Sequence, residues 1–324
     1  MRALWHEPGV RLAGRWLVAG LLLALVMTSV DMGLLSRQLA GLSVPVLALA
    51  LSLTVLQVLL SAWRWRYTAG RLGLALGYRT AVAEYYLATF LNQVLPGGVL
   101  GDVNRAWRHA GGANARVDAV HAVIIERLSG QAVLAVIVLA GTVWLAFSGV
   151  LTTNGSGFFD GNEASRGDRS AGWFVALLIG LPALLWGVGR FSHRFADYVR
   201  QLRRDLYRSL LAWPAFPVQL ASSLGVIASY LLVFLILAWG AQTLTGPESV
   251  AVTGVLCAVL LVSMVVPLTV AGWGVREGVA ALLWPLAGLP AEQGVALSVG
   301  YGLVVFMSSW PGALVLFSER FRPG

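Results

Sequence analysis

The stretch VLPGGVLGDVNRAW, residues 94–107, decides how this chain is interpreted. A proline and a run of glycines interrupt an apolar region there, and a carboxylate and a guanidinium follow three positions apart, at Asp102 and Arg105. Within a hydrocarbon layer, helix breaks and charges are both costly unless protein or a polar cavity covers them. The stretch therefore indicates either an interfacial loop, with Asp102 and Arg105 as an ordinary pair at a helix start, or a broken helix beside a cavity.

The composition shows which solvent surrounds the chain. Of the 324 residues, 58% are hydrophobic and only 12% are charged, and the mean hydropathy is +0.76, as in polytopic membrane proteins. All 23 basic residues are arginine, and the net charge is +8. These arginines lie between apolar runs and form no single basic domain, so the pattern predicts membrane topology and no nucleic-acid partner.

Apolar runs of about 20 residues predict the membrane crossings. Two further apolar regions, 81–109 and 250–289, are each broken near the middle by proline and glycine. We expect an all-α polytopic membrane protein with a single transmembrane domain, 1–324, and with two re-entrant or broken helix pairs. A rival interpretation has both broken regions crossing fully, with their breaks in external turns. About six full spans are predicted: 16–35, 43–63, 118–147, 172–189, 216–240 and 293–317.

The distribution of arginine predicts the orientation. One side of this layout carries 18 of the 23 arginines, and cytoplasmic loops hold the excess of positive charge. We therefore expect a bacterial inner (cytoplasmic) membrane protein with both termini cytoplasmic. The stretch 149–171 is predicted as an external loop, and 190–209 as a cytoplasmic amphipathic helix on anionic lipid. The arginine-rich side comprises 1–15, 64–80, 104–117, 190–208 and 318–324.

The two broken regions resemble each other. VLPGGVLGDVNRA (94–106) and VVPLTVAGWGVREGVA (265–280) share a hydrophobic pair, a proline, a glycine-containing turn and then charged residues. In the predicted layout one region is reached from the cytoplasm and the other from outside. The two halves, roughly 16–147 and 172–317, would then form an inverted repeat whose broken helices meet at a substrate. Helix N-termini offer N–H groups and a positive dipole end that suit phosphate or carboxylate.

Two further pairs of charged residues lie within apolar runs. Glu126 and Arg127 are either a functional pair or an interfacial pair that reaches the cytoplasmic surface. Arg276 and Glu277 are either functional or a salt bridge that joins two half-helices. The chain has no nucleotide-binding, hydrolase or metal-binding motif, so we expect no cofactor, no metal and no catalytic residues.

Three motifs together resemble the lysylphosphatidylglycerol synthase transmembrane region family, which includes the flippase part of the multiple peptide resistance factor. The resemblance covers roughly residues 15–318. Leu100 and Trp273 depart from the usual pattern, where a glycine and a smaller apolar residue are common. The matching residues are Asn92, Pro96, Gly97, Gly98, Gly101, Asp102 and Arg105 in the first motif, Glu126, Arg127 and Gly130 in the second, and Pro267, Gly272, Gly274, Arg276 and Glu277 in the third.

The resemblance implies a flippase that moves a lipid or lipid-linked substrate with a charged headgroup between leaflets. The predicted substrate-binding residues are Asn92, Asp102, Arg105, Glu126, Arg127, Arg276 and Glu277. In this hypothesis the arginines bind phosphate, because guanidinium matches its oxygens bidentately, and the carboxylates hold the arginines or engage an amine.

Other functions stay open at this point. The synthase has a soluble aminoacyl-transfer domain that this sequence lacks, so we do not expect the chain to make lysyl-lipid by itself. One alternative is a membrane enzyme or accessory subunit that acts on a phospholipid or polyprenyl carrier, with Asp102 or Glu277 as acid or base. Another is a scaffold for a separately encoded enzyme.

Overall fold

The computed structural model describes residues 8–28, 30–95, 98–109, 113–148, 193–265 and 269–320. Regular structure in these residues is helical, which confirms the all-α fold class. A π-helical turn, Tyr207–Leu211, continues the helix His193–Leu206. The α-helices are α1 (Pro8–Thr28), α2 (Met32–Ala40), α3 (Val44–Arg71), α4 (Tyr78–Val94), α5 (Leu100–Arg108), α6 (Ala113–Phe147), α7 (His193–Leu206), α8 (Ala215–Gly240), α9 (Pro247–Ser263), α10 (Val275–Leu286) and α11 (Ala291–Arg320).

Four of the predicted crossings are single helices that are long and apolar enough to span a membrane. They are Val44–Arg71, Arg116–Phe147, Ala215–Gly240 and Ala291–Phe317. Each of the four helices is longer than the apolar run predicted for it. The predicted span 172–189 and the predicted external loop 149–171 lie outside the described residues.

The first predicted crossing, 16–35, is a bent pair of helices. The chain bends by 104° between Trp16–Thr28 and Met32–Ala40. Asp31 is the N-cap of α2, where its carboxylate accepts hydrogen bonds from the backbone N–H groups of Gly33 at 2.7 Å and Leu34 at 3.1 Å. Because an N-cap carboxylate satisfies the free N–H groups of a new helix, Asp31 starts α2 in its own direction.

The first broken region forms a helical hairpin. Helix α5 has nine residues and is about 14 Å long, too short for a hydrocarbon layer of about 30 Å. At the tip, the Asn92 side chain accepts a hydrogen bond from the Gly101 N–H at 2.8 Å. At the base, Arg108 Nε donates to Glu84 Oε1 at 3.0 Å. Helix α5 therefore runs back along α4, as the re-entrant interpretation predicts.

The second broken region has the same form. Helix α10 has twelve residues and is about 18 Å long, so it too is short for a crossing. It packs against α9. Its first turn lies beside the end of α9, where Arg276 Nη1 is 3.8 Å from Met264 Sδ.

Packing repeats between the two halves of the chain. In this comparison α3 corresponds to α8, α4 to α9, α5 to α10 and α6 to α11. When each of these eight helices is replaced by its counterpart, every packed pair becomes another packed pair, except that α3 and α8 give the same pair again. For example, α4 packs on α11 as α9 packs on α6, and α3 packs directly on α8. This correspondence supports the predicted internal repeat; its predicted limits, 16–147 and 172–317, stay a prediction.

The predicted amphipathic segment, 190–209, joins two other arginine-rich segments at one end of the bundle. In this segment α7 is amphipathic, and its Arg203 and Arg204 are exposed. Arg71, at the end of α3, donates to the Arg208 carbonyl at 2.9 Å. His121 Nδ1 on α6 lies 2.7 Å from Asp205 Oδ2. The ring centroids of Trp65 and His109 lie 5.9 Å apart. The described parts of segments 64–80, 104–117 and 190–208 therefore lie at one end of the bundle, as the predicted layout requires.

Candidate functional site

Both helix breaks line one cavity. The cavity has a volume of about 720 Å³ and is bounded by residues of α3, α4, α5, α6, α8, α9 and α11. Gly98 and Val99 contribute from the first break, and Ala271 and Gly272 from the second. Two segments far apart in sequence thus form the walls of the same space, with the beginnings of α5 and α10 next to it.

Asp102 is one centre of a charged cluster on the cavity wall. Its Oδ1 lies 2.9 Å from Arg105 Nη2, and its Oδ2 lies 2.6 Å from Arg127 Nη2. The Asn92 amide also donates to Oδ2, at 3.3 Å. The predicted pair Asp102 and Arg105 is therefore an i,i+3 ion pair, but it is buried and extended by Arg127.

Glu126 is the second centre, and it is fully buried. Its Oε2 accepts from Arg105 Nη2 at 2.8 Å, and its Oε1 accepts from Arg64 Nη2. The Tyr85 hydroxyl donates to the same Oε1 at 3.4 Å. Because the Glu126 side chain is fully buried, it does not reach the cytoplasmic surface. The alternative of an interfacial Glu126–Arg127 pair is therefore excluded for Glu126.

Arg105 links the two carboxylates and is itself fully buried. Its guanidinium carbon lies 4.8 Å from the ring centroid of Trp65 and 4.6 Å from that of Tyr85. Rings on both sides stabilise the cation by cation–π attraction in a position away from water. Nε and Nη1 of Arg105 have no hydrogen-bond partner among the described residues.

Arg127 is the most exposed arginine of this cluster, and it lines the cavity together with Arg64. Its side chain is 41% exposed, against 5% for Arg64 and 0% for Arg105. One Nη holds Asp102, whereas Nε has no hydrogen-bond partner among the described residues. Arg127 thus presents an exposed positive charge to the cavity, whereas Arg64 lines the cavity with a buried side chain and Arg105 does not line it.

Arg276 and Glu277 form a separate cluster around the start of α10. Arg276 Nη2 lies 2.8 Å from Glu277 Oε1, and Arg276 Nε donates to Ser298 Oγ at 2.6 Å. Glu277 Oε2 accepts from the Gly274 N–H at 2.7 Å and so caps its own helix. Both side chains are buried and neither lines the cavity, although Tyr301, which contacts Arg276, does. Their predicted role in substrate binding stays a prediction.

The two halves place an arginine in equivalent surroundings. The guanidinium carbon of Arg276 lies 5.4 Å from the centroids of the Trp273 and Tyr301 rings, just as the guanidinium of Arg105 lies close to the rings of Trp65 and Tyr85. In each half the arginine follows the break, is buried, and pairs with a buried carboxylate.

The glycines of the break motifs have definite structural roles. Gly98, Gly272 and Gly274 have φ values of +60°, +79° and +83°, in the left-handed region that side chains disfavour. At Gly101 an added Cβ would lie 2.0 Å from the Ala88 carbonyl oxygen, so only glycine lets α5 approach α4 this closely. Gly130 faces the Arg64 guanidinium, 3.3 Å from where its Cβ would be. The predicted break residues Pro96, Gly97 and Pro267 lie outside the described residues.

Sequence reasoning missed Arg64, which it assigned to a cytoplasmic loop. Helix α3 continues to Arg71, and Arg64 is buried against Glu126. A signal for it exists in the sequence. Polar residues recur every three or four positions along one face of this apolar helix, and all of them are buried: Thr54, Gln57, Ser61, Arg64 and Thr68.

The cavity opens on an apolar face of the protein. Six of its lining residues are also at least 40% exposed: Val99 at the first break, Val103 and Trp107 on α5, Val120 and Leu128 on α6, and Val265 at the start of the second break. The opening therefore includes exposed residues of α5, of α6 and of the two helix breaks. Its rim is apolar, whereas the wall behind it carries Asp102 and Arg127.

Comparison with known proteins identifies the family. The family model of the lysylphosphatidylglycerol synthase TM region matches residues 12–312. The chain belongs to this family. The match confirms the resemblance shown by the three motifs, and together with the apolar helices it establishes a multi-pass membrane protein. Comparisons with curated proteins and with solved structures give no significant match.

Proposed function

We propose that this protein is a flippase-type transporter that moves a lipid or lipid-linked substrate with a charged headgroup across the cytoplasmic membrane. One observation carries the proposal: a cavity with an arginine-rich wall has an exposed apolar rim that includes residues of α5 and α6. A lipid has the two chemistries that this arrangement matches, a polar headgroup and apolar chains. Both termini face the cytoplasm in this proposal.

In this proposal the wall of the cavity binds the headgroup of the lipid, and the rim contacts its chains. A charged headgroup in hydrocarbon is costly, and Arg127 on the cavity wall offsets that cost by donating to phosphate oxygens. The acyl or prenyl chains stay in the bilayer, next to Val103 and Trp107. Arg64, which also lines the cavity, and the buried Arg105 raise the positive potential of the wall.

The two hairpins supply a structural basis for alternating access. Each hairpin ends at the cavity, and each packs on a long helix of the other half, α4 on α11 and α9 on α6. Rocking of one half against the other would open the cavity toward one leaflet or the other, as in transporters built from repeats.

The alternative of a membrane enzyme is less well supported. An acid or base needs a carboxylate that can reach substrate, but both oxygens of Asp102 and both of Glu126 are held by arginines. Glu277 caps α10 and pairs with Arg276. The carboxylates thus position arginines, and we do not propose a catalytic role for them.

Lipid transport in proteoliposomes tests the proposal. The assay follows fluorescent lipids that become accessible to a membrane-impermeant quencher, for wild type and for Arg127→Gln. We expect wild type to accelerate transbilayer movement and Arg127→Gln to reduce the rate at least tenfold. The matched control is Arg37→Gln, an exposed arginine that contacts the Gly33 carbonyl on α2 and should keep the wild-type rate. Equal rates in protein-free liposomes and wild type, for anionic, zwitterionic and cationic headgroups, would contradict the proposal.

A further inference from the structure

The charge balance of the cavity wall favours one class of headgroup. The cluster at the wall contains three arginines, Arg64, Arg105 and Arg127, and two carboxylates, Asp102 and Glu126. At neutral pH these five side chains therefore carry one net positive charge. A phosphodiester, with one negative charge, neutralises this excess, whereas a net cationic headgroup increases it.

An amine on the headgroup would find no free carboxylate. Asp102 Oδ2 and both oxygens of Glu126 accept hydrogen bonds from arginines, and the buried Asp102 Oδ1 lies 2.9 Å from Arg105 Nη2 in an ion pair. An ammonium group in the cavity would also lie near the exposed side chain of Arg127, and the two like charges would repel each other. The wall therefore disfavours lipids that carry lysine or ethanolamine.

Uncharged polar groups cover another part of the wall. Gln57, Thr89, Gln93, Gln131 and Thr269 line the cavity. The Gln57 Oε1 and the Thr269 Oγ1 are buried and have no hydrogen-bond partner among the described residues. Amide and hydroxyl groups both donate to and accept from alcohols, so they suit a headgroup with several hydroxyls.

The cavity is large enough for such a headgroup. Its volume of about 720 Å³ lies within the usual range for small-molecule sites, roughly 300–1,000 Å³. We infer that the cavity binds a lipid phosphodiester whose headgroup carries hydroxyls and no amine, as a glycerol or sugar headgroup does. This inference rests on the proposed function for the membrane source of the ligand and specifies its substrate class.

Equilibrium binding to the purified full-length protein in detergent, measured by native mass spectrometry, tests the inference. The probes are phosphatidylglycerol, phosphatidylmethanol, phosphatidylethanolamine and lysyl-phosphatidylglycerol, with glycerol 3-phosphate as a soluble source of the same chemistry. We expect phosphatidylglycerol to bind at least tenfold more tightly than either amine-bearing lipid. Phosphatidylmethanol, which keeps the phosphodiester but lacks the hydroxyls, should bind with intermediate affinity.

Two variants connect the preference to the cavity. Arg127→Gln should weaken phosphatidylglycerol binding about tenfold or more and remove the discrimination against amines, because it removes a charge-assisted hydrogen bond and the excess charge. Gln57→Leu should lower affinity for phosphatidylglycerol toward that for phosphatidylmethanol. Arg37→Gln should bind as wild type does.

Three results would overturn the inference. They are equal or tighter binding of lysyl-phosphatidylglycerol, equal binding of phosphatidylmethanol and phosphatidylglycerol, and binding of glycerol 3-phosphate as tight as that of the lipid. Because binding is measured without transport, selective binding by a protein that moves no lipid would contradict the flippase proposal and support this inference.

Discussion

Replacement of Glu126 by glutamine should destabilise the fold strongly. Glu126 is fully buried and pairs with Arg105, which is also fully buried, and with Arg64, whose side chain is 5% exposed. Glu126→Gln leaves three arginines and one carboxylate in the cluster, so the excess charge rises from one to two. Removing one partner of a buried ion pair typically costs about 3–5 kcal/mol, because the remaining charge is left uncompensated. We expect a loss in this range.

Unfolding in mixed micelles with increasing sodium dodecyl sulfate measures the loss, and the fluorescence of the thirteen tryptophans reports it. The matched control is Glu84→Gln, whose partner Arg108 has a side chain 34% exposed, so the loss should be at most about 1 kcal/mol. The double variant Glu126→Gln with Arg64→Gln restores the original excess charge and should regain part of the stability. Equal losses for Glu126→Gln and Glu84→Gln, or a double variant less stable than Glu126→Gln, would refute this reasoning.

Two further predictions concern the hairpin and the topology. Gly101→Ala should reduce the free energy of unfolding by about 1–3 kcal/mol, because the added methyl group overpacks against the Ala88 carbonyl. Gly70→Ala, which has open space around it, should be neutral or stabilising. The same unfolding assay compares the two variants, and equal stabilities would contradict the close approach of α4 and α5. Because Cys257 is buried, single added cysteines can report sidedness: Arg203→Cys should react with an impermeant maleimide only after the inner face is exposed, and Thr245→Cys should react in intact cells. The reverse pattern would overturn the orientation.

The sequence predicted the parts of the fold that depend on local patterns. Length and hydropathy located α3, α6, α8 and α11, because a crossing helix must be apolar over its whole length. The break at Asp31 was missed because the apolar run continues past it, and only the capping contacts show that a new helix begins there.

The candidate site was predicted only in part, because it depends on pairs that are distant in the chain. Asp102, Arg105, Glu126 and Arg127 do meet, but the contact of Glu126 with Arg64 joins residues 62 positions apart. No local pattern specifies which carboxylate a buried arginine will meet. The motif likewise placed Arg276 and Glu277 beside a break, and the structure shows that they pair with each other.

The most direct test of the central claim is to find where a lipid headgroup lies in the protein. A phosphatidylglycerol analogue with a photoactivatable diazirine on the headgroup would be incorporated with the protein into nanodiscs, irradiated and located by peptide mass spectrometry. The account predicts cross-links on cavity-lining residues such as Thr89 and Gln131, which excess unlabelled phosphatidylglycerol should suppress. Cross-links confined to the exposed face of α6 away from the cavity, around Val136 and Val143, would contradict it.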